Sequence, residues 1–203
     1  MPPPEPRDRH SRRRTPRQPR AKLTFDSIKL ATLDLARTHG FAGLNTIEIA
    51  ARAGVSVGSL YEYFPNRESI LLSLYEDTTA ALVASIKTRL PQILDAPLQQ
   101  AIHGTATEIM RAYKKNQLIL IALPQQMPDL RLSAHALSFD QMIHGSLRIF
   151  LAHRLKNERP ALVEQRAFFI ETILIGGVQR YLSKPPAQFP EKAFLNHVTT
   201  IIV

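Results

Sequence analysis

From Thr24 onward, apolar residues recur every three or four positions. No stretch alternates with the period of two that marks a half-buried strand. Phe25, Ile28 and Leu35, with the alanines between them, form the first stripe, with Thr24 as its N-cap and Gly40 as its stop. Two short helices follow, over about 46–53 and 57–64. Asn66 caps the next, with Glu68 in its first turn where the helix dipole favours an acid. That helix is predicted to run from Arg67 to about Leu90 and to stop at Pro91. Further helices fit 97–116, 117–123, 128–157, 160–182 and 190–202, each bounded by prolines or polar breaks. The pattern predicts an all-α protein of about nine helices without internal repeats.

Residues 46–67, TIEIAARAGVSVGSLYEYFPNR, carry the most information. Ala50 is small enough for two helices to cross closely, and Gly54 supplies the left-handed residue that ends the first of them. Ile49, Val55 and Leu60 are the contacts that hold a helix-turn-helix at its angle, and Ser56 caps the second helix. A helix from Val57 to Phe64 fits a DNA major groove and offers its N-terminal side chains to base edges. Val57 can make only apolar contact there, for instance with a thymine methyl, whereas Ser59 can donate or accept. Gly58 allows close backbone approach. Tyr61 and Tyr63 carry hydroxyls that can reach phosphates, although packing in the core suits Tyr63 better. Thr46 can cap its helix with its hydroxyl or N–H towards a phosphate, and Arg67 suits a phosphate clamp at the other edge. Glu62 can accept from a cytosine amino group or pair with Arg52, and the pair is the favoured reading.

Composition sharpens this. The 203 residues carry 26 Lys and Arg against 17 acids, a formal net charge of +9. Eight of those bases lie in residues 1–22 with only two acids, while residues 23–67 hold four of each. The 1–22 segment has almost nothing apolar to bury and is expected to be disordered when free. It reads either as a solubilising tail or as an arm that follows phosphates or enters a minor groove. The absence of Cys excludes disulfides, thiolate metal sites and thiol catalysis. No apolar run is expected to span a membrane, since FFIETILIGGV is broken by Glu171. No secretory signal is visible, and six prolines in 22 residues argue against an amphipathic presequence, so a cytoplasmic protein with an anionic partner is expected.

With these residues in hand, the stretch from Phe25 to about Leu72 resembles the DNA-binding domain of the TetR family of bacterial transcriptional regulators. The resemblance rests on Gly40-Phe41, Thr46, Ile49-Ala50, Gly54-Val55-Ser56, Gly58, Leu60-Tyr61, Tyr63-Phe64 and Asn66-Arg67. It implies a DNA-binding domain over 23–68, with contacts from Thr46, Ser56, Val57, Gly58, Ser59, Tyr61, Tyr63 and Arg67. It also implies a divergent helical domain over 69–203 that binds a small-molecule inducer and dimerises through its last two long helices, near 160–182 and 190–202. The family often places a polar or basic residue at the Val57 position, so the valine implies a different operator preference.

The remaining chain says less. Phe139, Met142, Ile143, Leu147, Phe150 and Leu151 form a wide apolar stripe, and the 160–182 segment is apolar on most faces. A second protomer would cover the latter, giving twofold symmetry and a palindromic site. Gly176-Gly177 inside it implies either a close helix crossing or a kink lining a cavity. His103, Met110, Tyr113, Met127, Phe139, Met142, Phe169 and Glu171 are candidates for a ligand pocket, although such residues are as often plain core. Asp140 and His144 are spaced to pair on one face. No residues are placed as metal ligands, cofactor site or catalytic group. Gly54-Val55-Ser56-Val57-Gly58 spells the nucleophile elbow of a serine hydrolase, but that chemistry needs a strand before the serine, where this chain has a helix. The expected function is a homodimeric repressor released from a palindromic operator by an apolar or amphipathic ligand. The alternative is a regulator without inducer whose C-terminal domain only dimerises.

Overall fold

Ten α-helices follow one another in the computed structural model: α1 (Pro19–His39), α2 (Thr46–Ala53), α3 (Val57–Tyr63), α4 (Arg67–Asp95), α5 (Leu98–Lys115), α6 (Leu123–Gln126), α7 (Ala134–Arg154), α8 (Pro160–Glu171), α9 (Gly177–Ser183) and α10 (Glu191–Ile202). The structure describes residues 18–132 and 134–202, without the side chains of 89, 90, 94, 131, 132, 134–136, 138 and 139. No strand occurs among the described residues, in keeping with the unbroken three-to-four spacing.

The first unit ends at Asp77. Its core is Phe25, Ile28, Phe41, Leu44, Ile49, Leu60, Phe64, Ile70 and Leu71, all nearly inaccessible. Phe25 stacks on Phe64 with centroids 4.7 Å apart and meets Tyr63 edge-on at 6.1 Å, which fixes α1 against the end of α3. The first turns of α4 complete this core, so the boundary between units falls nine residues beyond the expected one. At the chain start, α1 begins at Pro19 behind Gln18, and residues 19–22 of the expected arm are its first turn. Proline suits that position because the N–H it lacks has no helical partner there. The rest of the 1–22 arm lies outside the described residues.

The second unit runs from Thr78. Helix α4 continues through Pro91 to Asp95 instead of stopping before it. Just beyond its end, the Arg154 guanidinium donates to the Ala96 carbonyl and lies over the Phe150 ring. The residues Arg67–Thr88 of α4 have the length and apolar composition of a membrane span, contrary to expectation, yet half of that stretch is buried in the fold, as in a core helix.

Two wide, π-type turns interrupt the later helices. One, Leu118–Ala122, leads into α6, and the other, Thr172–Gly176, joins α8 to α9 without a break in helical backbone. Residues 160–183 are therefore one rod, as the sequence predicts, but with a widened turn inside it. Gly177 stands at its end, where an added Cβ would meet Phe194 of α10 at 3.5 Å, an ordinary contact, and at Gly176 it would meet nothing within 4 Å. The expected helix 128–157 is instead a 3₁₀ turn, Pro128–Leu132, followed by α7.

Candidate nucleic-acid interface

Backbone geometry at two points builds the pair of short helices. At Gly54 the chain turns left-handed, with φ 69° and ψ 31°. Its N–H and that of Val55 close onto the Ala51 and Ala50 carbonyls at 3.2 and 3.0 Å. Two residues on, the Ser56 hydroxyl accepts from the Ser59 N–H at 3.0 Å and opens α3. The turn between α2 and α3 is thus closed by a glycine and a serine, both read correctly from the sequence. Asn66 likewise caps α4, accepting from the Ser69 N–H at 2.8 Å.

The opening of α2 differs. Asn45, not Thr46, is the cap, with Oδ1 accepting from the Glu48 N–H at 2.9 Å. Thr46 is already inside the helix, and its hydroxyl lies 3.0 Å from the Tyr61 hydroxyl on α3. That bond places the first turn of α2 beside the open side of α3.

The candidate contacts divide accordingly. Ser56 and Gly58 are exposed, and Val57, Ser59 and Thr46 are partly so. Tyr61 is 39% exposed, whereas Tyr63 is only 8% exposed and packs on Phe25, so Tyr63 belongs to the core. Arg67 directs Nε and Nη2 to Glu68 at 3.0 and 2.8 Å, and Nη1 to the Leu44 carbonyl at 3.2 Å. Two of the guanidinium nitrogens are thus held by the next residue of α4 and the third ties α4 to the loop before α2, so little is left for a phosphate. Arg52 pairs with Asp34 of α1, not with Glu62, because the end of α2 lies against α1. Glu62 is exposed and has no ion-pair partner among the described residues. Sequence reasoning missed Ile47, which is 68% exposed at the start of α2. Its place beside Thr46 was the available signal.

The candidate ligand residues do not converge. Met110 and Tyr113 are buried in α5, with the Tyr113 hydroxyl accepting from Gln179 at 3.0 Å. His103 Nδ1 lies 3.2 Å from the Thr199 hydroxyl and links α5 to α10. Met127 caps the end of α6, and Met142 sits 3.7 Å from the Ser146 hydroxyl. Phe169 is 63% exposed, and the Phe139 side chain lies outside the described residues. None of them lines the apolar cavity of about 40 Å³ bordered by Ile86, Ile102, Ile143, Leu147, Phe150 and Leu174 with four neighbours.

Glu171 and Glu164 both bind His144, to Nδ1 at 2.9 Å and Nε2 at 2.8 Å, so the expected Asp140–His144 pair is replaced by contacts from α8. Hydrogen bonds donated to Glu164, then to Glu171, hold the His144 pKa above its ordinary value. Burial raises Glu171 despite the imidazole, and burial raises Asp140. Among the described residues no group of three His, Asp or Glu side chains is arranged to hold a metal ion.

Comparisons with known proteins bear on the motif and on the fold. Residues 28–74 match the model for bacterial regulatory proteins of the tetR family. The HTH-type transcriptional repressor DrrR1 of Streptomyces coeruleorubidus is 28% identical over 108 residues, 53% of this chain and 38% of its own length. The HTH-type transcriptional regulator BetI of Klebsiella pneumoniae (strain 342) is 27% identical over 154 residues, 73% of this chain and 76% of its own. In fold, the structure is similar to the fatty acid degradation regulator FadR from Bacillus halodurans. The TM-score is 0.66 at 18% identity, covering 93% of this chain and 96% of that one.

Proposed function

The chain belongs to the tetR family of bacterial regulatory proteins, a family of DNA-binding transcriptional regulators and not of enzymes, and on that premise we propose that it works as a cytoplasmic homodimeric repressor. It binds a palindromic operator through α3 and is released by a small apolar or amphipathic effector. The observation that carries the reading is the α2–α3 pair, with its left-handed Gly54 and Ser56 cap presenting the side of α3 that bears Val57, Ser59 and Tyr61. Residues 1–22 act as a basic arm on phosphates, 23–68 bind DNA, and 69–203 bind effector and partner. Phe168 and Phe169 are 57% and 63% exposed on α8, an apolar surface that a second copy would cover through the 160–183 rod and α10. Twofold symmetry then sets two copies of α3 about one DNA turn apart.

For the effector, a cavity of about 40 Å³ is far smaller than a ligand site of several hundred. An effector entering there pushes the surrounding helices apart, and one that favours the expanded form shifts the population away from the DNA-binding one. The same small volume favours a second reading, in which residues 69–203 only dimerise.

The deciding test is fluorescence anisotropy of the purified chain on duplex DNA from its own upstream region against a scrambled duplex, at ~150 mM salt. A specific repressor is expected to prefer the first by ~10³-fold or more. Equal affinities would overturn an autoregulatory operator. Thermal unfolding with a panel of neutral apolar compounds separates the two readings, since only an effector site yields stabilisation.

A further inference from the structure

Reading bases in the major groove ordinarily relies on side chains that make two hydrogen bonds at once: Arg or Lys to guanine, Asn or Gln to adenine. Helix α3, VGSLYEY, contains none of these residue types. The two arginines nearby are committed elsewhere, Arg52 to Asp34 and Arg67 to Glu68 and the Leu44 carbonyl. Asn45 has its Oδ1, which a paired contact to adenine requires, engaged by the Glu48 N–H. The hydroxyls on this side are paired with one another, Ser56 with Ser59 at 2.9 Å and Thr46 with Tyr61 at 3.0 Å. Each of these hydroxyls can make single further bonds but no paired contact, and the side chains left without a partner among the described residues are apolar or anionic: Val57 in the first turn of α3, Ile47 in the first turn of α2, and Glu62. The Thr46–Tyr61 bond ties the first turn of α2, which carries Ile47, to α3, which carries Val57.

The major groove displays one apolar group, the 5-methyl of thymine. We propose that this protein identifies its operator chiefly through thymine methyl groups, with Val57 and Ile47 as the specificity-determining contacts. The proposal rests on the DNA-binding reading above. Glu62 opposes the paired acceptors of guanine and can accept from the amino group of cytosine or adenine, so it adds no preference for A·T of its own and leaves the thymine methyls to Val57 and Ile47. The operator half-site accordingly carries thymines at the positions that Val57 and Ile47 meet, set by methyl contact and not by hydrogen bonding.

Replacing thymine by uracil deletes the methyl and leaves the pairing intact. The full chain is used to enrich binders from a library of random duplexes, and the most enriched duplex is resynthesised with each thymine in turn replaced by uracil. At contacted positions binding is expected to weaken about fourfold, the value of one buried methyl group, and about 15-fold when both half-sites are changed. Val57→Ala and Ile47→Ala should weaken binding to the thymine duplex and abolish the uracil penalty at their own positions, with an unchanged salt slope. Enrichment with no uracil penalty at any position overturns the proposal and leaves the regulator reading intact. A library that never enriches overturns both. The uracil scan needs only the unaltered protein, so it decides the question even if a variant fails to fold.

Discussion

Ser73, on the buried side of α4, has its hydroxyl sealed from solvent with no hydrogen-bond partner among the described residues. A buried donor without a partner carries its desolvation cost uncompensated. Ser73→Ala should therefore stabilise the protein by about 1 kcal/mol, seen as a rise of roughly 2–4 °C in the thermal midpoint for a chain of this size. An unchanged or lower midpoint would show that the hydroxyl is satisfied in solution. At this scale much was legible in the sequence. Gly54, Ser56 and Asn66 take the conformations and cap bonds their chemistry suggests, because a cap is a local bargain between a side chain and N–H groups two or three residues away. Asn45 and Thr46 are both good caps in adjacent positions, and what chose between them was Tyr61, fifteen residues on. Arg52 illustrates the same limit: the sequence suggests Glu62 as its partner, and only the packing of α1 on α2 brings up Asp34 instead.

Between elements, the α7–α8 contact is where pH should act. His144 of α7 is held between Glu164 and Glu171 of α8, with Asp140 one turn before it and Arg148 4.0 Å from Glu164. His144, Glu171 and Asp140 all have folded pKa values above their ordinary ones, so the folded state binds protons more tightly than the unfolded chain. Stability must then fall as pH rises. The His144 contribution is complete below the ordinary imidazole value of 6.5 and is lost as pH climbs from there through the raised one. Thermal unfolding between pH 6 and 8 should show the midpoint falling, and His144→Gln should flatten that fall. A wild-type midpoint constant over this range would exclude the pair as a stabilising contact. Helix existence and order were readable throughout, but not every boundary. Pro91 lacks an N–H and was expected to end α4, yet the helix continues for four more residues. Proline removes one hydrogen bond from a helix and bends it without being obliged to stop it.

For the whole molecule the governing quantity is charge. Six arginines lie within residues 1–17, ahead of a DNA-binding segment that is neutral overall. Removing residues 1–17 should weaken DNA binding and make its dependence on salt shallower, by up to ~5 in the slope of log affinity against log salt if every arginine meets a phosphate. Preference among sequences should survive, since phosphate contacts carry no base information. Anisotropy titrations over a salt series check this, and an unaltered slope would make the segment a solubilising tail. What the sequence could not reveal at this scale is the phase of the 160–183 rod. It reads as apolar nearly all round, and a partner copy was the explanation at hand. The buried positions Ile170, Leu174, Val178 and Leu182 step by four each time. In an ordinary helix three such steps drift by about 120°, which would carry Leu182 well off the face that Ile170 shares. The wide turn at Thr172–Gly176 absorbs the drift, acting like a leap day inserted into a calendar that would otherwise slide against the seasons. Two stretches of helix that would be out of step with each other thus keep one common inner face.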